Sequence, residues 1–327
     1  MKLKQFFVGM GGITLISIPL LSYAGTTLNG AGATFPYPFY ARVFSDYEKV
    51  SGNRVNYASV GSGSGVRQYI AGTVDFGATD EPIKASEIAK VKRGVVQIPM
   101  VGGTIAVAYN KPGCTLKLTQ KQVADIFLGT IKDWNQLGCA AGPVRVAHRS
   151  DGSGTTFAFT NSLSTFSPQW KSEVGEGKSV KWPVGIGGKG NEGVSGIVKT
   201  TPGSIGYVNT GFVKANKLQA AAIQNKAGQF VLPTAKSGAI ALNGITLDSN
   251  LAGENPNPST SGAYPISTLT WILAYKTGNG AKTGDIQKAL NYALSSKAQL
   301  LADDLGYVPL AGSILNKSRI AVKRIGQ

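Results

Sequence analysis

The sequence predicts an α/β protein folded as two lobes, and three observations predict it. Alternating apolar strand patterns run through glycine-rich turns into helical patterns, which is the strand, turn, helix order of α/β folds. A chain of 327 residues that is 42% hydrophobic and only 15% charged carries enough apolar side chains for more than one core, and disorder is excluded. Three short segments rich in glycine and hydroxyl residues stand at such junctions, each ahead of an apolar-periodic run. They are Ala31-Gly32-Ala33-Thr34-Phe35, Gly61-Ser62-Gly63-Ser64-Gly65 and Arg149-Ser150-Asp151-Gly152-Ser153-Gly154-Thr155.

In chain order, the first segment passes Pro36 and Pro38 into a helix marked by Tyr40, Val43, Phe44, Tyr47 and Val50. Residues 55–60 alternate as a strand and enter the second segment, after which Val66, Tyr69 and Ile70 begin another helical face. Residues 98–109 read as an extended buried stretch. Val123, Ile126, Phe127, Ile131 and Trp134 predict one helix between the two cysteines. Residues 144–147 form a strand into the third segment, followed by a helix carrying Phe157, Phe159 and Leu163. Residues 235–264 are rich in Gly, Asn, Pro and Ser with little periodicity, and a long surface excursion is expected there. Residues 267–275 are strand-like again, and Ile286, Ala289, Leu290, Ala293 and Leu294 mark a late helix.

The three segments share one chemistry. Glycines let backbone N–H groups approach a ligand closely, a helix start supplies unpaired donors and the positive end of its dipole, and Ser and Thr add donors without charge. One such loop is ordinarily a turn or a helix cap; three, the last with an Arg, predict convergence on a single oxyanion. The charge agrees. Lys and Arg number 33 against 17 Asp and Glu, a net charge of +16 that favours encounter with anions. The basic residues are scattered, with no zinc-finger or aromatic RNA-binding signature, so no nucleic-acid partner is expected.

Lys2 and Lys4 precede an apolar stretch over residues 6–21, and Ser22-Tyr23-Ala24 offers the small residues that a signal peptidase reads. The reading is a signal peptide over residues 1–24, cleaved after Ala24, with export. Gly9, Gly11, Gly12 and Pro19 interrupt the stretch and argue against a membrane anchor. Removing Lys2 and Lys4 leaves 31 basic against 17 acidic residues, a mature charge of +14. Cys114 and Cys139 both fall in the exported part, where an oxidising compartment favours a disulfide over two separate buried thiols. With one His, His148, and no carboxylate cluster at ligand spacing, neither a metal site nor a cofactor is expected.

Enzyme readings fit poorly. Ser153, His148 and Asp151 lie within six residues on one loop, and no Gly-x-Ser-x-Gly elbow surrounds the serine. Gly188-Lys189-Gly190-Asn191-Glu192-Gly193 fits a dinucleotide fingerprint, yet no Asp or Glu follows until Asp248, too far on to hold a ribose. A secreted phosphatase therefore ranks behind a binding protein.

Several motifs carry a family resemblance. Gly30-Ala31-Gly32-Ala33-Thr34-Phe35-Pro36, Val74-Asp75-Phe76-Gly77-Ala78-Thr79-Asp80, Asp151-Gly152-Ser153-Gly154-Thr155, Lys181-Trp182-Pro183 and Gly187-Gly188-Lys189-Gly190-Asn191 resemble the periplasmic phosphate-binding proteins of high-affinity ABC phosphate transporters. Gly203-Ser204-Ile205-Gly206-Tyr207-Val208 and Leu305-Gly306-Tyr307-Val308-Pro309 extend the similarity over residues 28–308. The resemblance implies a two-lobed, Venus-flytrap periplasmic-binding-protein fold with a ligand cleft between the lobes. Lobe 1 would comprise residues 25–104 and 269–327, and lobe 2 residues 105–268. By position, Thr34 and Phe35, Ser62, and Arg149, Ser153, Gly154 and Thr155 resemble the phosphate ligands of the three loops, Asp80 the buried acceptor, and Asp151 the carboxylate that braces the arginine. The family often has two serines after Gly61, whereas this chain has Ser62-Gly63-Ser64, so Ser64 is a lesser candidate. Asp80 suits phosphate, which keeps a proton to give at neutral pH; sulfate has none. The resemblance implies a periplasmic location and, as partners, inorganic phosphate and the permease subunits with their ATPase, the chain itself being a monomer without catalytic activity. A receptor for sulfate or molybdate is the alternative.

Overall fold

The computed structural model describes residues 25–327; the signal peptide predicted over residues 1–24 lies outside the described residues. One curled nine-stranded sheet organises the chain, in the spatial order Arg54–Ser59, Thr27–Gly32, Phe76–Thr79, Ser267–Tyr275, Val95–Tyr109, Ser204–Asn209, Arg145–Arg149, Ile186–Gly188, with the short strand Gln219–Ala220 also on Val95–Tyr109. Val95–Tyr109 and Ser267–Tyr275 are buried along almost their whole length and are mostly apolar, the exceptions being Gln97 and Thr104 on the first and Ser267, Thr268 and Thr270 on the second. The long strand Val95–Tyr109 serves both halves of the fold. Up to Thr104 it pairs antiparallel with Ser267–Tyr275, and from Ile105 it pairs antiparallel with Ser204–Asn209.

Beyond the shared strand, each half is built from parallel strand, helix, strand units. In the first, Thr27–Gly32 pairs in parallel with both Arg54–Ser59 and Phe76–Thr79. In the second, Arg145–Arg149 pairs in parallel with Ser204–Asn209 and Ile186–Gly188. Four helices start just past the carboxyl ends of these strands, where open α/β sheets bind ligands: Tyr37–Ser51, Ser62–Ala71, Gly154–Phe166 and Gly190–Thr200. Their apolar faces close the cores. Phe39, Tyr40, Val43, Phe44 and Tyr47 are buried on the first helix, but Val50, expected on the same face, is exposed in its last turn, where the helix runs out past the core. Val194 and Val198 pack with Ala108, Ala147, Val208 and Phe212.

Two expectations are corrected. The helix between the cysteines is Gln120–Leu128 only, with Gly129 as its C-cap, and Trp134 begins a separate 3-10 turn, Trp134–Leu137, capped by Asp133. Ile131 and Trp134 are nevertheless buried, so the apolar period continues across the break because both segments face one core. Residues 235–264 are not simply a surface excursion. They open with a helix, Ala235–Leu242, whose Thr234 and Ser237 side chains cap it reciprocally. Leu247 and Leu251 are buried, and the carbonyls of Asn250 and Leu251 accept from Gln97 Nε2 (3.0 Å) and Trp271 Nε1 (2.8 Å). Turns rather than a helical period space these apolar residues.

Cys114 and Cys139 form a disulfide, their Cα atoms 5.5 Å apart across a sequence separation of 25. A closure of that length stabilises a fold by roughly 3–4 kcal/mol in the chain-entropy account. Replacing both cysteines by serine is therefore expected to lower unfolding stability by about 3 kcal/mol in denaturant titrations, and an unchanged midpoint would contradict this.

Candidate functional site

The sequence-selected residues meet at the helix starts, between the two halves of the sheet. Thr34 is 2% exposed, Asp80 1% and Arg149 3%, and Phe35, Ser62, Ser153, Gly154 and Thr155 are also buried. Ser62 Oγ, from the first half, accepts the N–H of Gly154 (3.0 Å), from the second, and that of Asp80 (3.3 Å). The approach is close enough that a Cβ on Gly154 would lie 2.6 Å from Asp80 N and 2.7 Å from Ser62 Oγ. Gly63 N–H donates to the Gly152 carbonyl (2.8 Å), and a Cβ on Gly61 would collide with the Asp151 carboxylate.

Arg149 ends the strand Arg145–Arg149. Its backbone N–H donates to Tyr207 Oη (3.1 Å), which also bonds Thr156 Oγ1 (2.6 Å), and the Tyr207 ring stacks on Phe159 with centroids 4.3 Å apart. Two sides of the guanidinium fork are held by Asp151, with Nε to Oδ1 at 2.8 Å and Nη2 to Oδ2 at 2.6 Å. Asp151 Oδ1 also accepts Gly190 N–H (2.9 Å). Burial opposes ionisation of this carboxyl, but the guanidinium and the Gly190 N–H outweigh it and hold Asp151 below the usual carboxylate range. The third corner of the fork, Arg149 Nη1, is buried with no hydrogen-bond partner among the described residues.

Asp80 is the opposite pole. Thr270 Oγ1 donates to its Oδ1 (2.9 Å) and Thr155 Oγ1 to its Oδ2 (3.2 Å). Burial is the largest influence, and although the two hydroxyls and Arg149 favour the anion, the carboxyl is pushed up to about 7. Thr34 Oγ1 accepts both the backbone N–H (3.0 Å) and the Nδ2 amide (2.8 Å) of Asn191. Ser153 Oγ caps its own helix by accepting Thr156 N–H (3.0 Å) and retains its hydroxyl hydrogen. Ser64 Oγ accepts instead from Gln68 Nε2 (3.1 Å) along its own helix. His148 stacks on Trp182, with centroids 4.9 Å apart, and its Nδ1 faces the Arg149 carbonyl (3.1 Å), a structural position.

Sequence reasoning missed Thr270 and gave Asn191 no role. Thr270 sits in a strand that is buried along its whole length, and nothing local reveals that its register sets it beside Thr79 and Asp80. Polar ties between the halves surround the buried groups. Lys178 pairs with Glu81 (2.9 Å) and Glu87 (3.4 Å), and Ser59 donates to Glu192 (2.8 Å).

Two α/β halves sharing a strand and closing over inward donors, one cation and one protonatable carboxyl define a solute-binding protein of the periplasmic type, with a site suited to a small oxyanion. Residues 22–297 match the family model described as a PBP superfamily domain. The chain is 44% identical over 322 residues to a phosphate-binding protein PstS of Pasteurella multocida, covering 93% of this chain and 92% of the relative. It is 43% identical over 340 residues to the phosphate-binding protein PstS of Haemophilus influenzae, with 97% and 96% covered. Among solved structures it is similar to a high affinity periplasmic phosphate-binding protein with bound phosphate, at 19% identity, TM-score 0.73 and 92% and 99% coverage. A phosphate binding protein from Stenotrophomonas maltophilia aligns at 19% identity, TM-score 0.69 and 90% and 94% coverage. The chain belongs to the PBP superfamily and, within it, to the PstS family of phosphate-binding proteins.

Proposed function

We propose that the chain is a periplasmic receptor that closes over one inorganic phosphate and delivers it to an ABC-type import permease and its ATPase. The observation that carries this reading is the buried Nη1 of Arg149, without a partner among the described residues while the rest of the fork is clamped by Asp151. A buried cationic N–H left unpaired is costly, and an oxyanion satisfies it. In this reading Arg149, Ser62, Ser153, Thr34 and the backbone N–H groups of Phe35 and Thr155 donate to phosphate oxygens, the Gly154 N–H holds Ser62 Oγ so that its hydrogen faces the ligand, and Asp80 accepts the ligand's proton. Residues 25–104 with 269–327 and residues 105–268 act as the two lobes, swinging about the crossings near Thr104 and in strand Ser267–Tyr275.

The leader is read as removed after Ala24 and the mature chain as a monomer. No chemical step is assigned to it: Ser153 Oγ accepts the Thr156 N–H as a helix cap, and His148 is stacked on Trp182 with its Nδ1 at the Arg149 carbonyl rather than paired with the serine. Equilibrium dialysis against labelled phosphate tests the reading; one phosphate per chain is expected, and none retained contradicts it. The mature charge of +14 further predicts steered association. Stopped-flow on-rates are expected to fall about tenfold between roughly 0.01 and 0.5 M salt, more than off-rates change. On-rates flat with ionic strength rule steering out.

A further inference from the structure

The geometry points to Asn191 as a positioning residue that fixes which way the site's hydroxyls donate. It lies at the second residue of helix Gly190–Thr200, is fully buried, and makes four hydrogen bonds. Its Oδ1 accepts the backbone N–H of Asn209 (2.9 Å). That bond decides the amide orientation, because a backbone N–H can only donate. The Nδ2 hydrogens therefore point the other way, to Thr34 Oγ1 (2.8 Å) and Thr155 Oγ1 (3.2 Å). The backbone N–H of Asn191, which the helix leaves unpaired, also goes to Thr34 Oγ1 (3.0 Å).

A hydroxyl has two acceptor lone pairs and one hydrogen. Both lone pairs of Thr34 Oγ1 are occupied by Asn191, so its remaining capacity is donation, which suits an anion and not a cation. Thr155 Oγ1 accepts from Asn191 and thus turns its own hydrogen onto Asp80 Oδ2 (3.2 Å), keeping that carboxyl oriented. Asn191 stands on the second half of the sheet and Thr34 on the first, so the same amide ties the closed halves together.

This inference rests on the reading of the site as a phosphate site, and the test separates the two. Phosphate affinity is measured by calorimetry for the wild type, Asn191→Ala, Thr34→Val, the double variant and Asn191→Asp. Asn191→Ala is expected to lose about 10- to 100-fold in affinity, the consequence of one mis-set buried hydrogen bond. In the Thr34→Val background the same change should cost at least about fivefold less, since the hydroxyl it orients is gone. Asn191→Asp keeps the acceptor for Asn209 N–H but puts a carboxylate oxygen against Thr34; its affinity should fall and recover on acidification as the new carboxyl gains a proton and donates again. Losses that add independently in the double variant, or an Asn191→Asp variant that binds like the wild type, overturn the role of Asn191. A wild type that takes up no phosphate overturns the site reading itself.

Discussion

Arg149→Ala is expected to weaken phosphate binding by about 10³-fold, near 4 kcal/mol. Arg149 is 3% exposed, its guanidinium is held as a fork by Asp151, and it presents Nη1 without a partner among the described residues. Truncating one member of a buried, hydrogen-bonded charge pair costs roughly 2–5 kcal/mol, and every 1.4 kcal/mol is about tenfold in affinity. The truncation also strips Asp151 of its cation, leaving a partly buried carboxylate with the Gly190 N–H bond and facing the incoming anion. Arg149→Lys should fall between: it keeps the charge but cannot both grip Asp151 and present a further N–H in the same plane. Calorimetry on the three proteins reads this directly, and an affinity unchanged in Arg149→Ala moves the site elsewhere.

Asp80→Asn is expected to leave phosphate binding largely intact and to erode discrimination against sulfate. Inside the closed site, a sulfate oxygen facing an ionised Asp80 is an acceptor against an acceptor with like charge. Such an unmade buried bond costs at least about 1–3 kcal/mol, and sites built around a substrate O–H reject analogues lacking it by about 10⁴-fold. The amide supplies an N–H₂ of similar size, to which sulfate can accept.

Burial pushes the Asp80 carboxyl of the unliganded protein up to about 7, which adds a pH signature. Below that pH the neutral carboxyl can donate to sulfate; above it the carboxylate can only accept. The wild-type preference for phosphate over sulfate should therefore rise as pH increases through about 7, and that of Asp80→Asn should not. Stability follows with a definite sign. The native state keeps this proton up to about pH 7, whereas the unfolded chain releases it near the ordinary value of 3.8, so this group's contribution to stability is full below about pH 4 and is lost as pH rises toward 7. A preference ratio that does not fall on mutation makes Asp80 a turn residue only.

Much of this arrangement is legible in the residues because strand, glycine turn and helix start are local features. The junctions after residues 32, 59 and 149 are visible from short windows, and Asp151 stands two residues from the arginine it holds. The division of labour along strand Val95–Tyr109 is not local. A buried strand that is apolar but for Gln97 and Thr104 gives no local sign that the partner strand changes between Thr104 and Ile105. Thr270 and Asp80 are 190 positions apart and Asn191 and Thr34 are 157 apart, and only strand register and closure of the halves bring them together. Periodicity misled where two short elements share one core, as at Leu128 and Trp134, and where buried leucines sit in turns, as at Leu247 and Leu251.

The most direct test of the account is a calorimetric titration of the wild-type mature chain with phosphate and, separately, with sulfate at about pH 8, where Asp80 is ionised in the unliganded protein. The account predicts saturation at one phosphate per chain and a sulfate affinity weaker by roughly 10⁴-fold. Sulfate binding as tightly as phosphate, or phosphate giving no saturable heat, would contradict it.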